Sequence, residues 1–172
     1  MLSTHISHQI YAKLSFDATN NQKKIIEKLS EWLADDDFGR IFVLNGYAGT
    51  GKTTIIAAFV AAIKGLGIKP ILLAPTGRAA KVLARYSAHE AHTIHKRIYR
   101  ERSITADSAR FTLDYNRERG AVFIIDEASM LSTSSAEGSM FGSGNLLDDL
   151  VEYVRSGKEC RLMLVGDDAQ LP

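Results

Sequence analysis

Residues 46–53 form a glycine-rich segment whose composition suits the binding of nucleotide phosphates. In one-letter code the segment is GYAGTGKT, which fits the pattern G-x-x-x-x-G-K-[ST] between an apolar run and a helix-like stretch. The glycines allow successive amides to turn towards one anion, and the N-terminus of the following helix adds partial positive charge. In this arrangement Lys52 reaches the β- and γ-phosphates, and the Thr53 hydroxyl binds Mg²⁺. The predicted nucleotide-binding residues of the segment are Gly46, Ala48, Gly49, Thr50, Gly51, Lys52, Thr53 and Thr54.

Two acidic residues, Asp126 and Glu127, directly follow a second apolar run at residues 121–125. Asp126 is suited to hold Mg²⁺ through its water shell. Glu127 is suited to act as a general base that orients an attacking water. A base beside a metal-bound triphosphate predicts hydrolysis rather than transfer to a second substrate. The alternative is a strand that simply ends in two solvated acids. The presence of a phosphate loop in the same sequence makes this alternative less favoured.

Four continuous apolar runs and the stretches between them predict the elements that carry these segments. Because the runs do not alternate with polar residues, we expect strands buried on both faces of a parallel sheet. Helix-like stretches separate the runs, which is typical of an α/β fold with a parallel sheet flanked by helices. Ligands of such sheets bind at the carboxyl ends of the strands. The predicted strands are 41–44, 71–74, 121–125 and 162–165, and the predicted helices are 19–34, 52–64, 77–86, 93–102 and 146–155.

The composition is that of an ordinary globular protein. The 172 residues are 45% hydrophobic and 24% charged, which excludes a disordered, collagen-like or disulfide-scaffold chain and favours one domain. The single cysteine, Cys160, cannot form an internal disulfide and fits a reducing compartment. The sequence begins without the basic-then-apolar order of a signal peptide, and no apolar run is long enough to span a membrane. We therefore predict a cytoplasmic protein without a membrane partner.

Segments after three of the predicted strands resemble motifs Ia, II and III of superfamily-one DNA helicases. They are APTGRAA at residues 74–80, DEASM at 126–130 and GDDAQLP at 166–172, and the phosphate loop supplies motif I. TIHK at residues 93–96 adds a match to the RecD-like branch, which includes exonuclease V alpha subunits and phage Dda helicases. The sequence has no Asn-Lys-x-Asp element of the kind that reads guanine in GTPase switches.

This resemblance implies a RecA-like P-loop NTPase fold and the cofactors ATP and Mg²⁺. Gln22 lies where the family keeps a glutamine that reads the adenine edge. Its spacing from Thr19 also fits a capping box at the start of a helix, so adenine recognition and helix capping are both open for Gln22. By the same resemblance, Gln170 would contact the γ-phosphate and relay its presence to the bound strand. The implied catalytic residues are Lys52, Glu127 and Gln170, and the implied Mg²⁺ ligands are Thr53 and Asp126.

The middle of the chain carries the positive charge that a nucleic-acid partner would need. The net charge is only +1, but residues 78–119 contain ten basic and five acidic side chains, whereas residues 120–172 contain three and nine. A basic groove with flat side chains for base stacking is typical of single-strand binding, and Tyr86, His95 and Tyr99 are available for the stacking. For most of the individual arginines of this basic segment, the alternative to a DNA contact is a position on a solvated helix face. The predicted DNA-binding residues are Thr76, Gly77 and Arg78 at a helix start, together with Thr93, His95 and Lys96.

The family's motor has two RecA-like lobes, and the resemblance covers the first. We expect residues 1–172 to be this N-terminal ATP-binding lobe, with the Gln22 helix in residues 1–35 and the phosphate-loop core in residues 36–172. Because the second lobe supplies an arginine to the transition state, slow turnover by this chain alone is expected. A fourth strand left uncovered by later elements predicts an exposed sheet edge or apolar face and self-association through it. The serine- and glycine-rich composition of residues 132–144 predicts a mobile loop.

Two functions from different classes follow. The first is the ATP-binding lobe of a DNA helicase that couples ATP hydrolysis to 5′-to-3′ movement on single-stranded DNA, with a second lobe as its partner. The second is a regulatory nucleotide- or DNA-binding module that never hydrolyses ATP. Glu127 favours the first, because a binding module gains nothing from a general base at that position. A third interpretation places the same motor on RNA, and only the resemblance selects DNA.

Overall fold

The computed structural model describes residues 1–47, 49–103, 109–131 and 140–167, and helices alternate with strands over most of this length. The helices are α1 (Leu2–Tyr11), α2 (Asn20–Ala34), α3 (Lys52–Gly65), α4 (Gly77–Ser87), α5 (Ile94–Ile98) and α6 (Leu146–Ser156). The strands are β1 (Ile41–Asn45), β2 (Pro70–Ala74), β3 (Ala91–Thr93), β4 (Tyr99–Ser103), β5 (Ala109–Leu113), β6 (Val122–Ile125) and β7 (Arg161–Gly166). A short 3-10 helix, Ala128–Met130, follows β6.

Five of the strands form one parallel sheet in the order β1-β7-β6-β2-β3. Leu164 of β7 lies opposite Val43 of β1 on one side and opposite Ile125 of β6 on the other. β2 pairs with β6 and with the short β3, where Ala74 lies opposite Thr93. The predicted α/β fold, with a parallel sheet flanked by helices, is confirmed. Because all five strands are parallel, their carboxyl ends meet at one edge of the sheet.

The sheet separates two hydrophobic layers. Alternate residues of a strand point to opposite faces. Leu72 and Ile124 pack with α1, α2 and α3, whereas Leu73 and Phe123 pack with α5 and α6. Both faces of the central strands are therefore buried, which explains why their sequences are continuously apolar.

Capping residues fix where the helices around the functional edge begin. Thr76 accepts a hydrogen bond from the Ala79 N–H at 3.2 Å at the start of α4, and this bond satisfies a backbone donor that has no partner within the helix. α3 begins differently, because its cap residue is Gly51 in the left-handed conformation, with φ 83°. Left-handed backbone is accessible to glycine at little cost, so the glycine of the phosphate-loop motif also sets the start of α3.

The segment from residue 93 to residue 113 differs from the sequence prediction. One helix is predicted over 93–102, whereas α5 ends at Ile98 and Tyr99 enters β4 with extended backbone (φ −108°, ψ 148°). β4 pairs antiparallel with β5, and Glu101 lies opposite Phe111. The hairpin prevails because it packs Tyr99 and Phe111 against Phe141, whose ring centroid is 5.4 Å from that of Tyr99 and 4.6 Å from that of Phe111. Helical periodicity within 93–102 carries no information about these distant partners.

Residues 140–144 form the end of the segment over 132–144 for which the sequence predicts a mobile loop. Phe141 stacks on Phe111, and the Ser143 N–H donates to the buried carboxylate of Asp149 at 3.0 Å. These contacts anchor the end of the segment to the hairpin and to α6. The rest of the predicted loop, residues 132–139, lies outside the described residues.

The edge strands of the described sheet are β1 and β3, and the fourth predicted strand is not at an edge. β7, which corresponds to that fourth strand, is covered because it lies between β1 and β6. Within the described part of the chain, β1 pairs with β7 alone, and the side chain of Val43 is 56% exposed. The expectation of an uncovered fourth strand is wrong, because that strand inserts into the middle of the sheet.

The two longest helices of the described ranges, α2 and α3, have 15 and 14 residues. Among the residues that the structure describes, none of the helices combines the length and the apolar character needed to cross a membrane. The cytoplasmic location stays a prediction.

Candidate nucleotide-binding site and the neighbouring helix starts

A cleft opens at the carboxyl edge of the sheet and has a volume of about 620 Å³. Its floor combines the phosphate loop with the acids that follow β6, and Val82 and Tyr86 of α4 form part of its wall. Gly166 and Asp167 at the end of β7 complete the lining. The structure thus brings together the two chemical segments that the sequence analysis treats separately.

The conformation of the phosphate loop explains its glycines. Gly49 and Gly51 have φ values of 81° and 83°, in the left-handed region that side chains with a Cβ disfavour. At Gly46 the reason is space, because a Cβ would lie 3.3 Å from the Thr50 Oγ1 and 3.8 Å from the Lys52 Nζ. The glycines therefore allow a tight loop backbone that residues with a Cβ would hinder. Ala48 lies outside the described residues.

Lys52 is held in place by its own loop. Its ammonium donates to the carbonyl oxygen of Tyr47 at 2.9 Å and to the carbonyl oxygen of Gly46. An ammonium has three N–H donors, so two of them fix its position and one can still point into the cleft. Thr53 and Thr54, in the first turn of α3, are exposed.

Asp126 and Glu127 follow the carboxyl end of β6, and hydrogen bonds from their backbone N–H groups hold them there. The Asp126 N–H donates to the Leu73 carbonyl at 3.0 Å, and the Glu127 N–H donates to Asp126 Oδ1 at 2.9 Å. Glu127 has a left-handed backbone, with φ 54° and ψ 37°, which costs about 1–2 kcal/mol for a residue with a Cβ. Strain of this kind persists at functional sites when the surrounding structure imposes it.

The side chain of Tyr86 contacts Asp126. Its hydroxyl donates to Asp126 Oδ2 at 2.7 Å, and its ring lies in the wall of the cleft. Burial, followed by the negative charge of Asp126, raises the pKa of Tyr86, so the hydroxyl keeps its proton. The sequence makes Tyr86 a candidate for base stacking and does not reveal this contact. The available signal is the spacing of Val82 and Tyr86, which places both residues on one face of α4.

Gln22 forms the predicted capping box. Its Oε1 accepts the Thr19 N–H at 3.0 Å, and its own N–H donates to Thr19 Oγ1 at 3.3 Å. The side chain is 8% exposed, and its Nε2 lies so close to the phosphate loop that a Cβ on Gly51 would be 2.5 Å away. The capping role is therefore confirmed, and the amide end of the same side chain touches the loop. Recognition of adenine by Gln22 stays a prediction.

The donor set of the cleft fits a nucleoside triphosphate with Mg²⁺. The loop presents a glycine backbone and an ammonium to anionic oxygens. Thr53 and Asp126 offer a hydroxyl and a carboxylate, which are the hard oxygen ligands that Mg²⁺ prefers. Gln170, the predicted γ-phosphate contact, lies outside the described residues.

Two helix starts lie side by side at the same edge of the sheet, at the predicted DNA-binding residues. β2 leads into α4 and the adjacent β3 leads into α5, and the hydroxyls of Thr76 and Thr93 cap the two helices, the latter by accepting the Lys96 N–H at 3.2 Å. Thr76, Gly77, Arg78 and Lys96 are exposed.

His95 has a different environment from the other predicted DNA-binding residues. Its ring packs 5.0 Å from the ring of Phe141 and 5.6 Å from that of Tyr99. Burial lowers the pKa of His95, which favours the neutral imidazole. Tyr99, a second stacking candidate, is buried and donates its hydroxyl to Asp149 at 2.6 Å. The structure therefore places both rings in a packed aromatic cluster.

The sequence of residues 18–172 matches the profile of a protein family described as "AAA domain". The match covers the phosphate loop, the acidic pair and all five strands of the parallel sheet. This chain belongs to the AAA domain family. The α/β P-loop architecture described above is the architecture of that AAA domain.

Two of the curated relatives are named as ATP-dependent DNA helicases, and another is named as a RecBCD enzyme subunit. The chain is 31% identical over 139 residues to the ATP-dependent RecD2 DNA helicase of Deinococcus radiodurans, and the match covers 77% of the chain and 16% of that relative. It is 37% identical over 150 residues to the RecBCD enzyme subunit RecD of Mycobacterium tuberculosis, with 76% and 24% covered. It is 47% identical over 53 residues to the ATP-dependent DNA helicase dda of Enterobacteria phage T4, with 30% and 12% covered.

These similarities confirm that the AAA domain resembles the first lobe of RecD-like superfamily-one helicases. The chain spans between about a tenth and a quarter of the length of the curated relatives it matches.

Proposed function

We propose that this chain is the ATP-binding lobe of an ATP-dependent DNA helicase that moves 5′ to 3′ along single-stranded DNA. The observation that carries the proposal is the cleft in which Lys52, Asp126 and Glu127 line one space. The two capped helix starts at the same sheet edge add a surface for a strand, so both ligands would be held by one edge of one sheet. The direction of movement, the DNA substrate and the second lobe as partner follow the resemblance.

Each residue of the cleft has a distinct task in this proposal. The loop amides and Lys52 would hold the β- and γ-phosphates of ATP, while Thr53 and Asp126 would hold Mg²⁺. Mg²⁺ when bound supplies positive charge that stabilises the charge developing on the phosphates. The Glu127 carboxylate would orient the attacking water and accept its proton. Gln22 would read the adenine edge, and Gln170 would sense the γ-phosphate.

The proposed binding of single-stranded DNA rests on positive charge and on backbone N–H donors at the helix starts. The N-terminus of α4 attracts a phosphate through its unpaired amides, and exposed Arg78 adds a full positive charge. Lys96 adds a second charge at the neighbouring start of α5. Contacts of this type bind the strand backbone and are independent of sequence.

Nucleotide binding and turnover with matched variants test the ATPase proposal. Lys52→Ala should weaken binding of a fluorescent ATP analogue about 10–100-fold, which is the effect of losing a charged hydrogen bond. Glu127→Gln should still bind the analogue and should lose turnover in the full-length protein. Wild-type protein that binds ATP and never hydrolyses it, with or without DNA, would instead support the regulatory module. Turnover by residues 1–172 that oligothymidine stimulates and Lys52→Ala abolishes would contradict the expectation that this lobe alone is slow.

Salt-dependent binding of oligothymidine tests the strand-binding surface. Arg78→Ala and Lys96→Ala should each weaken binding and lower the slope of log affinity against log salt by about 1, because each removes about one phosphate contact. Arg85→Ala is the matched control, since Arg85 is an exposed arginine at the other end of α4. Equal losses for Arg78→Ala and Arg85→Ala would contradict a strand site at the helix start. A preference for oligouridine over oligothymidine would favour RNA.

A further inference from the structure

The helix α4 carries a tyrosine that the proposed mechanism does not use. Tyr86 is in the last turn of α4, and its hydroxyl donates to Asp126 Oδ2 at 2.7 Å across 40 residues of sequence. Val82, one turn earlier, lines the same cleft. The contact therefore joins a helix on the strand-binding side to the carboxylate proposed to hold Mg²⁺.

The packing of α4 holds Tyr86 in a fixed position. Ala79, Ala80 and Leu83 are buried, and the Ser87 hydroxyl, one residue after Tyr86, donates to the Leu83 carbonyl at 2.6 Å. The helix contacts α3, β2 and β3. A ring on such a helix has few alternative positions, so its hydroxyl can act as a geometric constraint on its acceptor.

The two donors to Asp126 engage both oxygens of its carboxylate. Oδ1 accepts the Glu127 N–H at 2.9 Å, and Oδ2 accepts the Tyr86 hydroxyl. Two bonds to different oxygens fix the plane of the carboxylate, while each oxygen keeps a lone pair for a metal-bound water. Within the described residues Asp126 makes no ion pair, so the side-chain donor that orients it is neutral and brings no charge to compete with Mg²⁺.

We propose that Tyr86 is a positioning residue of this site, whose hydroxyl orients the Asp126 carboxylate for Mg²⁺. The proposal rests on the proposed nucleotide-binding function. It assigns Tyr86 an effect on metal affinity through Asp126 and no direct contact with the phosphates.

The Mg²⁺ dependence of nucleotide binding tests this role. Tyr86→Phe keeps the ring and removes the hydroxyl. The Mg²⁺ concentration that gives half-maximal enhancement of fluorescent ATP binding should rise about tenfold, at the lower end of the range for loss of a partner that orients a metal ligand. Binding in EDTA should stay unchanged. In an Asp126→Ala background, adding Tyr86→Phe should have no further effect, because the hydroxyl acts through that carboxylate.

Tyr99→Phe is the matched control, because it removes another tyrosine-to-aspartate hydrogen bond, to Asp149, outside the cleft. A midpoint for Tyr86→Phe within twofold of wild type would overturn the proposal. Equal shifts for Tyr86→Phe and Tyr99→Phe would also overturn it, because they would reflect general destabilisation. A wild-type chain that binds no nucleotide at any Mg²⁺ concentration would overturn the proposed function itself, so the two failures are distinct.

Discussion

At the scale of single residues, Gln22 shows how one side chain can serve two elements. Its carbonyl oxygen closes the capping box of α2, and its amide nitrogen lies against Gly51 of the phosphate loop. The two ends can be separated chemically, because glutamate keeps the oxygen that caps and lacks the amide donor.

Gln22→Glu should therefore keep the stability of the chain and lose its preference for ATP over GTP. Gln22→Ala should lose the preference and also about 1 kcal/mol of unfolding free energy, which is typical for a lost cap. Urea unfolding measures the unfolding free energy, and competition between ATP and GTP for a fluorescent analogue measures the nucleotide preference. Since a new negative charge weakens both nucleotides, the ratio of affinities is the readout. An unchanged ratio in Gln22→Glu would exclude adenine recognition by this side chain.

Glu127 combines a proposed chemical role with backbone strain. Glu127→Gly should raise the unfolding free energy by roughly 0.5–1 kcal/mol, because relief of about 1–2 kcal/mol of strain is partly offset by the entropy of glycine in the unfolded chain. The same change should abolish ATP turnover in the full-length protein. Glu159, with φ 56° and outside the cleft, is the control. Glu159→Gly should give a similar gain in stability with unchanged turnover, and a loss of turnover there would contradict the assignment.

At the scale of secondary-structure elements, the aromatic cluster of His95, Tyr99, Phe111 and Phe141 links the β4–β5 hairpin to α5 and to the segment that precedes α6. Because burial lowers the pKa of His95 below its unfolded value, the unfolded chain binds more protons as the pH falls through about 6.5. The contribution of His95 is therefore complete at higher pH and decreases on acidification.

Acidification from pH 7.5 to 5.5 should lower the urea midpoint of the wild-type chain more than that of His95→Phe, which keeps an aromatic ring and cannot titrate. His5→Gln, which changes an exposed histidine of α1, should behave as wild type. Equal pH dependence in wild type and His95→Phe would show that His95 does not link protonation to folding.

The elements that the sequence predicts correctly are those whose signals are local. The strands around Leu72 and Ile124 follow from continuous apolar runs, and the start of α4 follows from Thr76 and the glycine after it. The sequence does not predict α1, because apart from Ile6 and Ile10, which have helical spacing and are buried, its residues are mostly polar. The sequence does not predict β3, β4 and β5, because strand pairing depends on partners elsewhere in the sequence.

The candidate site divides in the same way. The phosphate loop and the acidic pair are each formed by consecutive residues. Their chemistry can therefore be predicted from residue type and spacing. The contact between Tyr86 and Asp126 joins residues 40 positions apart, and the spacing of Val82 and Tyr86 on α4 does not specify its partner. The packing of His95 against Phe141 likewise depends on a segment far along the chain.

At the scale of the whole molecule, the exposed edge at β1 is a surface for pairing. Val43 is 56% exposed on a strand whose outer backbone groups lie at the edge of the described sheet. We expect concentration-dependent association of residues 1–172 through this edge, measured by sedimentation velocity. Val43→Lys should weaken it about tenfold, equivalent to about 1.4 kcal/mol.

Leu2→Lys is the control for that prediction, because Leu2 is 62% exposed on α1 and belongs to no strand. Association that Leu2→Lys weakens as much as Val43→Lys would point to general hydrophobic attraction. A wild-type chain that stays monomeric at high concentration would show that the β1 edge does not pair with a second copy.

The position of β7 has a consequence for how the protein acquires its activity during synthesis. The phosphate loop follows β1 and the acidic pair follows β6, and these strands meet only through β7, the last described strand of the chain. Contacts between such distant segments slow folding and form after local ones. A ribosome must therefore release the chain through Gly166 before the loop and the acids can face one another. A nascent chain that already carries both motifs should gain protection by nucleotide only when β7 has emerged.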